Sequence, residues 1–155
     1  MRPQPATIDA LEMYNERMGT GFDVIEHTAD TGIIAYGSTI EETFANAARG
    51  MFSVMVDLDA VRPVESRDIA VQAPDRELLL AEWLSELLFL FETEYMVFSR
   101  FDVKFSSERE LRASAWGERI DPERHQIGAG IKAVTHHMLR VERQDGYRAT
   151  VIFDV

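Results

Sequence analysis

The chain of 155 residues contains no cysteine, which excludes disulfides, thiolate zinc sites and cysteine nucleophiles. It also lacks any apolar run that approaches the length of a membrane span. Its N-terminus has no basic region followed by an apolar stretch, so we see no secretory signal. These absences favour a cytoplasmic protein that does not associate with a membrane.

Basic residues are also scarce. Lys and Arg number 16 against 27 Asp and Glu, which gives a formal net charge of -11. Because phosphate contacts require Lys and Arg, this balance predicts no strong direct binding to nucleic acid. An acidic surface permits binding to cations or to a basic protein. Equally, the charge could serve only to keep the protein soluble.

Familiar catalytic motifs are missing as well. The chain has no G-x-S-x-G elbow, no Walker-type phosphate loop and no glycine-rich dinucleotide fingerprint. The length and a hydrophobic content of 46% predict one folded domain with a substantial core. Two prolines and a Gly-Thr-Gly segment mark residues 1–21 as a flexible or loosely docked N-terminal extension. The globular domain is therefore predicted to cover residues 22–155.

Two segments have the periodicity of helices. The first is predicted over Ser38–Met55, where Ser38 or Thr39 could begin a capping box. The second is capped by Asp75 and runs to about Glu94. It is apolar almost all round, so we expect it to be the more buried of the two. Its narrow polar stripe consists of Glu82, Ser85 and Glu86.

The remaining segments alternate between apolar and polar residues, which is typical of strands. We predict strands at 22–27, 33–36, 69–73, 101–106, 111–115, 131–135, 139–141 and 147–153. Asp145-Gly146 is a strong hairpin signal between the last two strands. The predicted fold class is α+β, a two-layer sandwich of a mostly antiparallel sheet packed against about two main helices.

Acidic residues near both ends of the domain form the main candidate site. Asp30 is predicted to lie in a tight loop before Gly32, and Asp154 interrupts the apolar alternation of the last strand. If the fold brings Asp30 beside Asp154, the terminal carboxylate of Val155 makes a third acidic group. Such a cluster repels itself unless it is protonated or holds a cation, and oxygen ligands favour calcium, magnesium or manganese. Alternatively, Asp30 forms an Asx-turn and Asp154 is merely an exposed residue.

Several other polar residues have both a functional and a structural interpretation. Those that could contribute to the acidic site are His27, Asp57, Asp59, Glu82, Glu86 and Lys132. Each has an ordinary alternative as a core histidine, a turn residue, a solvated helix face or a solvated lysine. His136 and His137 are adjacent, so on a strand they point to opposite faces and cannot chelate together. His125 is predicted to lie on the surface of a loop.

A set of short motifs occurs in a fixed order from Phe22 to Val155. The motifs are His27-Thr28-Ala29-Asp30-Thr31-Gly32, Ala35-Tyr36-Gly37, Glu41-Glu42-Thr43-Phe44, Met51-Phe52, Glu82-Trp83-Leu84-Ser85-Glu86-Leu87-Leu88, Trp116-Gly117-Glu118, Ile131-Lys132-Ala133-Val134-Thr135 and Phe153-Asp154-Val155. Each motif alone is weak, but the ordered set is specific. Together they resemble the signature of the archease family, and the resemblance implies the same α+β class.

The resemblance also implies a function and a site. Archease-like proteins are accessory factors for the GTP-dependent RNA ligase of tRNA splicing, whose guanylylation and multiple turnover they promote without catalysing ligation themselves. It implies that Asp30, Asp154 and, through its carboxylate, Val155 bind a divalent metal, with calcium expected and magnesium or manganese as alternatives. Two other functions stay open. One is a stand-alone metal-dependent hydrolase, and the other is a chaperone-like binding module with a structural metal.

Overall fold

A computed structural model describes residues 21–26 and 30–155. Residues 1–20 of the predicted N-terminal extension lie outside the described residues, and so does His27. The described residues contain two helices, α1 (Ile40–Met55) and α2 (Arg76–Glu94), and a short 3-10 turn at Leu58–Ala60. The strands are β1 (Phe22–Glu26), β2 (Asp30–Gly37), β3 (Glu65–Gln72), β4 (Met96–Ser107), β5 (Glu110–Arg119), β6 (Ala133–Val134), β7 (Arg140–Arg143) and β8 (Tyr147–Asp154).

The described strands form two sheets, and each pairing within them is antiparallel. The larger sheet has the order β1-β2-β8-β6, with β7 also paired to β8. The smaller sheet has the order β3-β5-β4. Two helices with antiparallel sheets confirm the predicted α+β class, while the division into two sheets is a feature that strand patterns alone did not reveal.

Helix α1 begins with a capping box, for which the sequence offered either Ser38 or Thr39 as the first residue. The Thr39 side chain accepts a hydrogen bond from the Glu42 amide at 3.1 Å. The Glu42 carboxylate accepts in turn from the amide and the hydroxyl of Ser38. Thr39 is therefore the N-cap, and the acidic first turn also complements the helix dipole. The helix packs its apolar face against β2 of the larger sheet and β4 of the smaller sheet.

Helix α2 is anchored at its N-terminus and its centre. The Asp75 carboxylate accepts from the Leu78 amide at 2.9 Å, as predicted. Trp83 is fully buried, and its indole N–H donates to the Phe44 carbonyl of α1 at 2.9 Å. A buried indole requires such a partner. This bond therefore ties the two helices together inside the core.

The outer stripe of α2 is wider than the pattern indicated. Glu82 and Ser85 are exposed and Glu86 is half-buried, as predicted. Phe89, which belongs to the apolar run of the helix, is 54% exposed and continues the same stripe. Among the described residues, no helix combines the length and the apolar character needed to cross a membrane.

Aromatic rings join the helices to the smaller sheet. Phe52 of α1 meets Phe98 of β4 edge-on, with ring centroids 5.6 Å apart. Trp83 of α2 meets Phe101 of β4 in the same way at 6.0 Å. Edge-to-face pairs contribute about 0.5–1.5 kcal/mol each beyond the area they bury. One aromatic cluster thus holds both helices and β4 in a common core.

Several strand boundaries differ from the predictions: β3 begins at Glu65 instead of 69, β4 begins at Met96 instead of 101, and β6 covers only Ala133–Val134. β2 begins at Asp30, three residues before the predicted start, because its first residues pair with β8. β5 continues to Arg119, four residues beyond the predicted end at 115, so Gly117 and Glu118 are strand residues. The hairpin prediction is confirmed. Asp145 and Gly146 both have positive φ, at 50° and 101°, and lie in the short loop between the Cα partners Arg143 and Tyr147.

Gly117 shows how closely β4 and β5 approach each other. A Cβ added there would lie 1.8 Å from the carbonyl oxygen of Val97, whereas one added at Gly130 would meet nothing within 4 Å. We therefore expect Gly117→Ala to reduce the free energy of unfolding by about 3 kcal/mol or more. Urea unfolding measures this loss, with Gly130→Ala as the matched control. Equal stability of the two variants would contradict the observed packing.

Candidate acidic site

The pairing of β2 with β8 places the two candidate carboxylates directly opposite each other. Asp30 and Asp154 are Cα partners in the antiparallel register. Directly opposed residues point to the same face of a sheet, with Cβ atoms roughly 5 Å apart. The fold therefore brings Asp30 beside Asp154, which the sequence alone did not establish. The structure also corrects the position of Asp30, which is the first residue of a strand and does not lie in a tight loop.

Both carboxylates lie on the outer face of the larger sheet. Their neighbours Ile33 and Phe153, on the other face, are fully buried beneath the helices. Asp30 is half-buried and Asp154 is exposed. Among the described residues, neither carboxylate has a side-chain hydrogen bond or an ion-pair partner within 4 Å. Like charges placed directly opposite each other destabilise a sheet, so this pair can accept a cation or a cationic group of another molecule.

The backbone of Lys132 contacts the strand that carries Asp154. Its amide donates to the Asp154 carbonyl oxygen at 2.7 Å, and the next residue, Ala133, is the Cα partner of Asp154. The Lys132 side chain is exposed. β8 is therefore held on both edges where Asp154 lies, by β2 on one side and by the Lys132 segment on the other.

The donor set fits a hard cation only in part. Two carboxylates supply at most four oxygens, whereas calcium takes six to eight. Within 21–26 and 30–155, no group of three or more His, Cys, Asp or Glu residues lies close enough together to hold a metal. Asp57, Asp59, Glu82 and Glu86 thus do not complete a cluster with Asp30 and Asp154. Further ligands would have to come from Val155, from water or from a partner.

The other candidates have structural explanations. The Asp57 carboxylate caps the 3-10 turn by accepting from the Asp59 amide at 3.1 Å. His136 and His137 are exposed between β6 and β7, in keeping with a surface location.

A second polar cluster, which the sequence did not predict, lies under the loop after β5. His125 was expected on the surface, but it is only 2% exposed, so that prediction is wrong. Its Nδ1 accepts from the Asp121 amide at 2.8 Å, and its Nε2 lies 3.0 Å from a carboxylate oxygen of Glu118. Since Nδ1 accepts, Nε2 carries the proton and donates to Glu118.

Glu118 is the centre of this cluster. It is 7% exposed and also accepts from the Arg62 amide at 2.8 Å and from the Arg124 guanidinium at 2.5 Å. Burial alone would raise its pKa. The hydrogen bonds from Arg124, Arg62 and His125 outweigh burial and lower the pKa from 4.5 to about 2. Attraction to Glu118 also raises the pKa of Arg124.

The cluster fixes the segment that leads to the acidic site. Arg124 also donates to the Ala60 carbonyl at 3.2 Å, so the loop is tied to the 3-10 turn as well as to β5. Further along the chain, the Gly128 amide donates to Met55 at the end of α1, and four residues later Lys132 reaches Asp154. The only local sequence signal for the Glu118 cluster is the motif Trp116-Gly117-Glu118. Arg62, a partner of Glu118, is 56 residues away.

Comparisons with known proteins agree on one family. Residues 22–155 match the sequence model of the archease protein family. The chain is 42% identical over 142 residues to protein archease of Methanosarcina mazei, covering 88% of this chain and 97% of that protein. It is 40% identical over 127 residues to protein archease of Sulfurisphaera tokodaii, covering 81% and 91%.

Solved structures with the same fold include two that cover most of the chain. The solution structure of Methanobacterium thermoautotrophicum protein 1598 has a TM-score of 0.78 and 42% sequence identity, covering 88% of this chain and 99% of that one. The crystal structure of an archease from Thermotoga maritima has a TM-score of 0.59 and 22% identity, covering 84% and 94%. At that identity the second likeness concerns the fold alone.

The low pKa of Glu118 predicts a stability that depends on pH. A carboxyl whose pKa is lowered on folding stabilises the protein above its unfolded pKa of 4.5, and that contribution is lost as the pH falls toward about 2. We expect Glu118→Gln to cost about 2–3 kcal/mol at neutral pH. The gap between the variant and the natural protein should narrow across the acidic window.

Urea unfolding at a series of pH values measures this gap. Glu123→Gln, which removes an exposed carboxylate from the same loop, is the matched control and should show a small difference that is nearly independent of pH. A gap for Glu118→Gln that stays constant down to a pH of about 2 would contradict the assignment of the low pKa.

Proposed function

This chain belongs to the archease family, and from that premise we propose that it is a non-catalytic activator of the GTP-dependent RNA ligase of tRNA splicing. That ligase joins RNA ends bearing a 2′,3′-cyclic phosphate or a 3′-phosphate to 5′-hydroxyl ends. The chain would promote guanylylation of the ligase and its repeated turnover. The observation that carries the proposal is the direct opposition of Asp30 and Asp154 on neighbouring strands.

The geometry supports a role that is completed by a protein partner. Asp30 and Asp154 lie on an accessible sheet face, and their mutual repulsion would be relieved by a cationic group that a partner brings. Electrostatic attraction by a chain of net charge -11 would speed its encounter with a basic surface.

The proposal includes a divalent cation at the acidic site. Asp30 and Asp154 would hold it, together with the carboxylate of Val155 where that residue ends the chain. Calcium is the expected ion, with magnesium or manganese as alternatives. Because the described residues supply an incomplete cage, the site suits a cation whose remaining ligands come from water or from the ligase. Such a cation would supply positive charge for orienting phosphate oxygens at the ligase active site.

The ligase proposal predicts a specific loss of activation. Asp30→Asn and Asp154→Asn keep the shape of each side chain but remove its charge, so both should abolish stimulation of multiple-turnover ligation by the cognate ligase. Ligation by the ligase alone defines the unstimulated rate. Glu108→Gln removes an exposed charge in the β4–β5 turn and should activate normally. Full activation by both Asn variants, once circular dichroism shows that they are folded, would exclude the acidic pair from the function.

The cation proposal predicts a shift in melting temperature. A ligand at one hundred times its dissociation constant stabilises the folded state by about 2.7 kcal/mol. Calcium titrated into the metal-free natural protein should therefore raise its melting temperature by several degrees. The same titration should have little effect on Asp30→Asn or Asp154→Asn. An equal rise in all three proteins would place the cation elsewhere, whereas activation without any rise would favour carboxylates that act without a metal.

A further inference from the structure

A groove on the outer face of the smaller sheet has no role in the proposed function. It has a volume of about 480 Å³, within the range of small-molecule sites. Its floor is formed by the outward residues of three neighbouring strands, β3, β5 and β4. The opposite face of the same strands is in the core, where Val103, Ala113 and Ala115 are buried. The groove therefore belongs to a rigid element and lies on a different sheet from Asp30 and Asp154.

One end of the groove carries two cations side by side. Lys104 and Arg112 are Cα partners on β4 and β5, and both side chains are exposed. In the part of the chain that the structure describes, neither has an ion-pair partner within 4 Å. Directly opposed like charges destabilise a sheet. A phosphate group has enough oxygens to contact both cations at once, and it would relieve their mutual repulsion.

The end of the groove next to these cations carries acceptors. The adjacent row consists of Asp68, Ser114 and Asp102, which are Cα partners across the three strands. The Ser114 hydroxyl donates to Asp68 at 3.0 Å, while the Asp102 carboxylate has no hydrogen bond or ion pair with any described residue. Carboxylates accept hydrogen bonds and donate none when ionised. This row therefore suits the hydroxyl groups of a sugar.

The next row along the strands lies just beyond the residues that line the groove, and it supplies flat surfaces. Arg100 and Trp116 are Cα partners, and the Arg100 guanidinium lies 4.7 Å from the centroid of the Trp116 ring. Arginine planes and indole rings both stack on planar heterocycles. Arg100 precedes Lys104 by four residues on β4, which corresponds to about 13 Å along a strand. That separation is comparable to the length of a nucleoside monophosphate.

We propose that this groove, together with the adjoining Arg100 and Trp116, binds a nucleoside monophosphate. The phosphate lies against Lys104 and Arg112, the ribose hydroxyls donate to Asp68 and Asp102, and the base stacks on Arg100 beside Trp116. The order of cations, carboxylates and flat surfaces along the strands matches the order of phosphate, sugar and base in the ligand.

A free mononucleotide suits the groove better than an RNA strand does. The two carboxylates in the middle row would repel the further phosphates of a strand. The net charge of -11 likewise disfavours a polyanion. A ligand with one terminal phosphate places its charge on the two cations and only neutral groups over the acidic row.

Chemical-shift changes in NMR spectra locate the binding and measure its affinity. AMP, GMP, CMP and UMP are titrated separately into the full chain, beside adenosine and inorganic phosphate. At least one nucleotide should bind with a dissociation constant of about 1 mM or lower and more tightly than adenosine or phosphate alone. The shifts should concentrate at the outward residues of β4 and β5. Arg112→Gln should weaken binding about tenfold, because it removes a charge-assisted hydrogen bond.

Arg140→Gln is the matched control, since it removes one exposed positive charge from the other sheet. It should leave nucleotide affinity unchanged. Inorganic phosphate that binds as tightly as every nucleotide would reduce the groove to an ion site and overturn the proposal. So would a single-stranded oligoribonucleotide without terminal phosphates that binds more tightly than the mononucleotides. Absence of saturable binding, or equal affinity in Arg112→Gln and the natural protein, would overturn it as well.

Discussion

The pairing of β2 with β8 is the constraint on which the rest of the larger sheet depends. It joins residues 30–37 to residues 147–154, so more than a hundred residues separate the two strands in sequence. β1 attaches to β2, and β6 and β7 attach to β8. Helix α1 then packs on β2. Long-range pairing of this kind requires closure of a long loop before its contacts form, which slows folding.

The same pairing places the acidic site without any local signal for one. The side chains of a strand alternate between faces, so a slip of one residue would exchange its inner and outer sets. Phe153 and Ile33 are fully buried, and their burial fixes the register of both strands. Asp154 and Asp30 must then lie together on the outer face. The hydrophobic core therefore forces two like charges into opposition, and the stability of that core compensates for their repulsion.

The elements that the sequence predicted well are those specified by nearby residues. The capped start of α2 at Asp75 and the hairpin at Asp145-Gly146 depend on side chains within a few positions. The errors concern residues whose partners are distant. The loop prediction for Asp30 is wrong because its strand partner β8 is distant in sequence. The surface prediction for His125 is wrong because the pocket around Glu118 is assembled from separate segments. The division of strands between two sheets is long-range information of the same kind.

Net charge and local charge have different consequences in this molecule. The total of -11 governs long-range encounters, but at physiological ionic strength the screening length is about 8 Å. A bound group therefore responds mainly to the side chains that touch it. Asp30 and Asp154 form a local concentration of negative charge on one sheet, while Lys104 and Arg112 form a local positive one on the other. An acidic protein can thus carry local charge of both signs at the same time, because strand register fixes which charged side chains lie together and the overall charge does not.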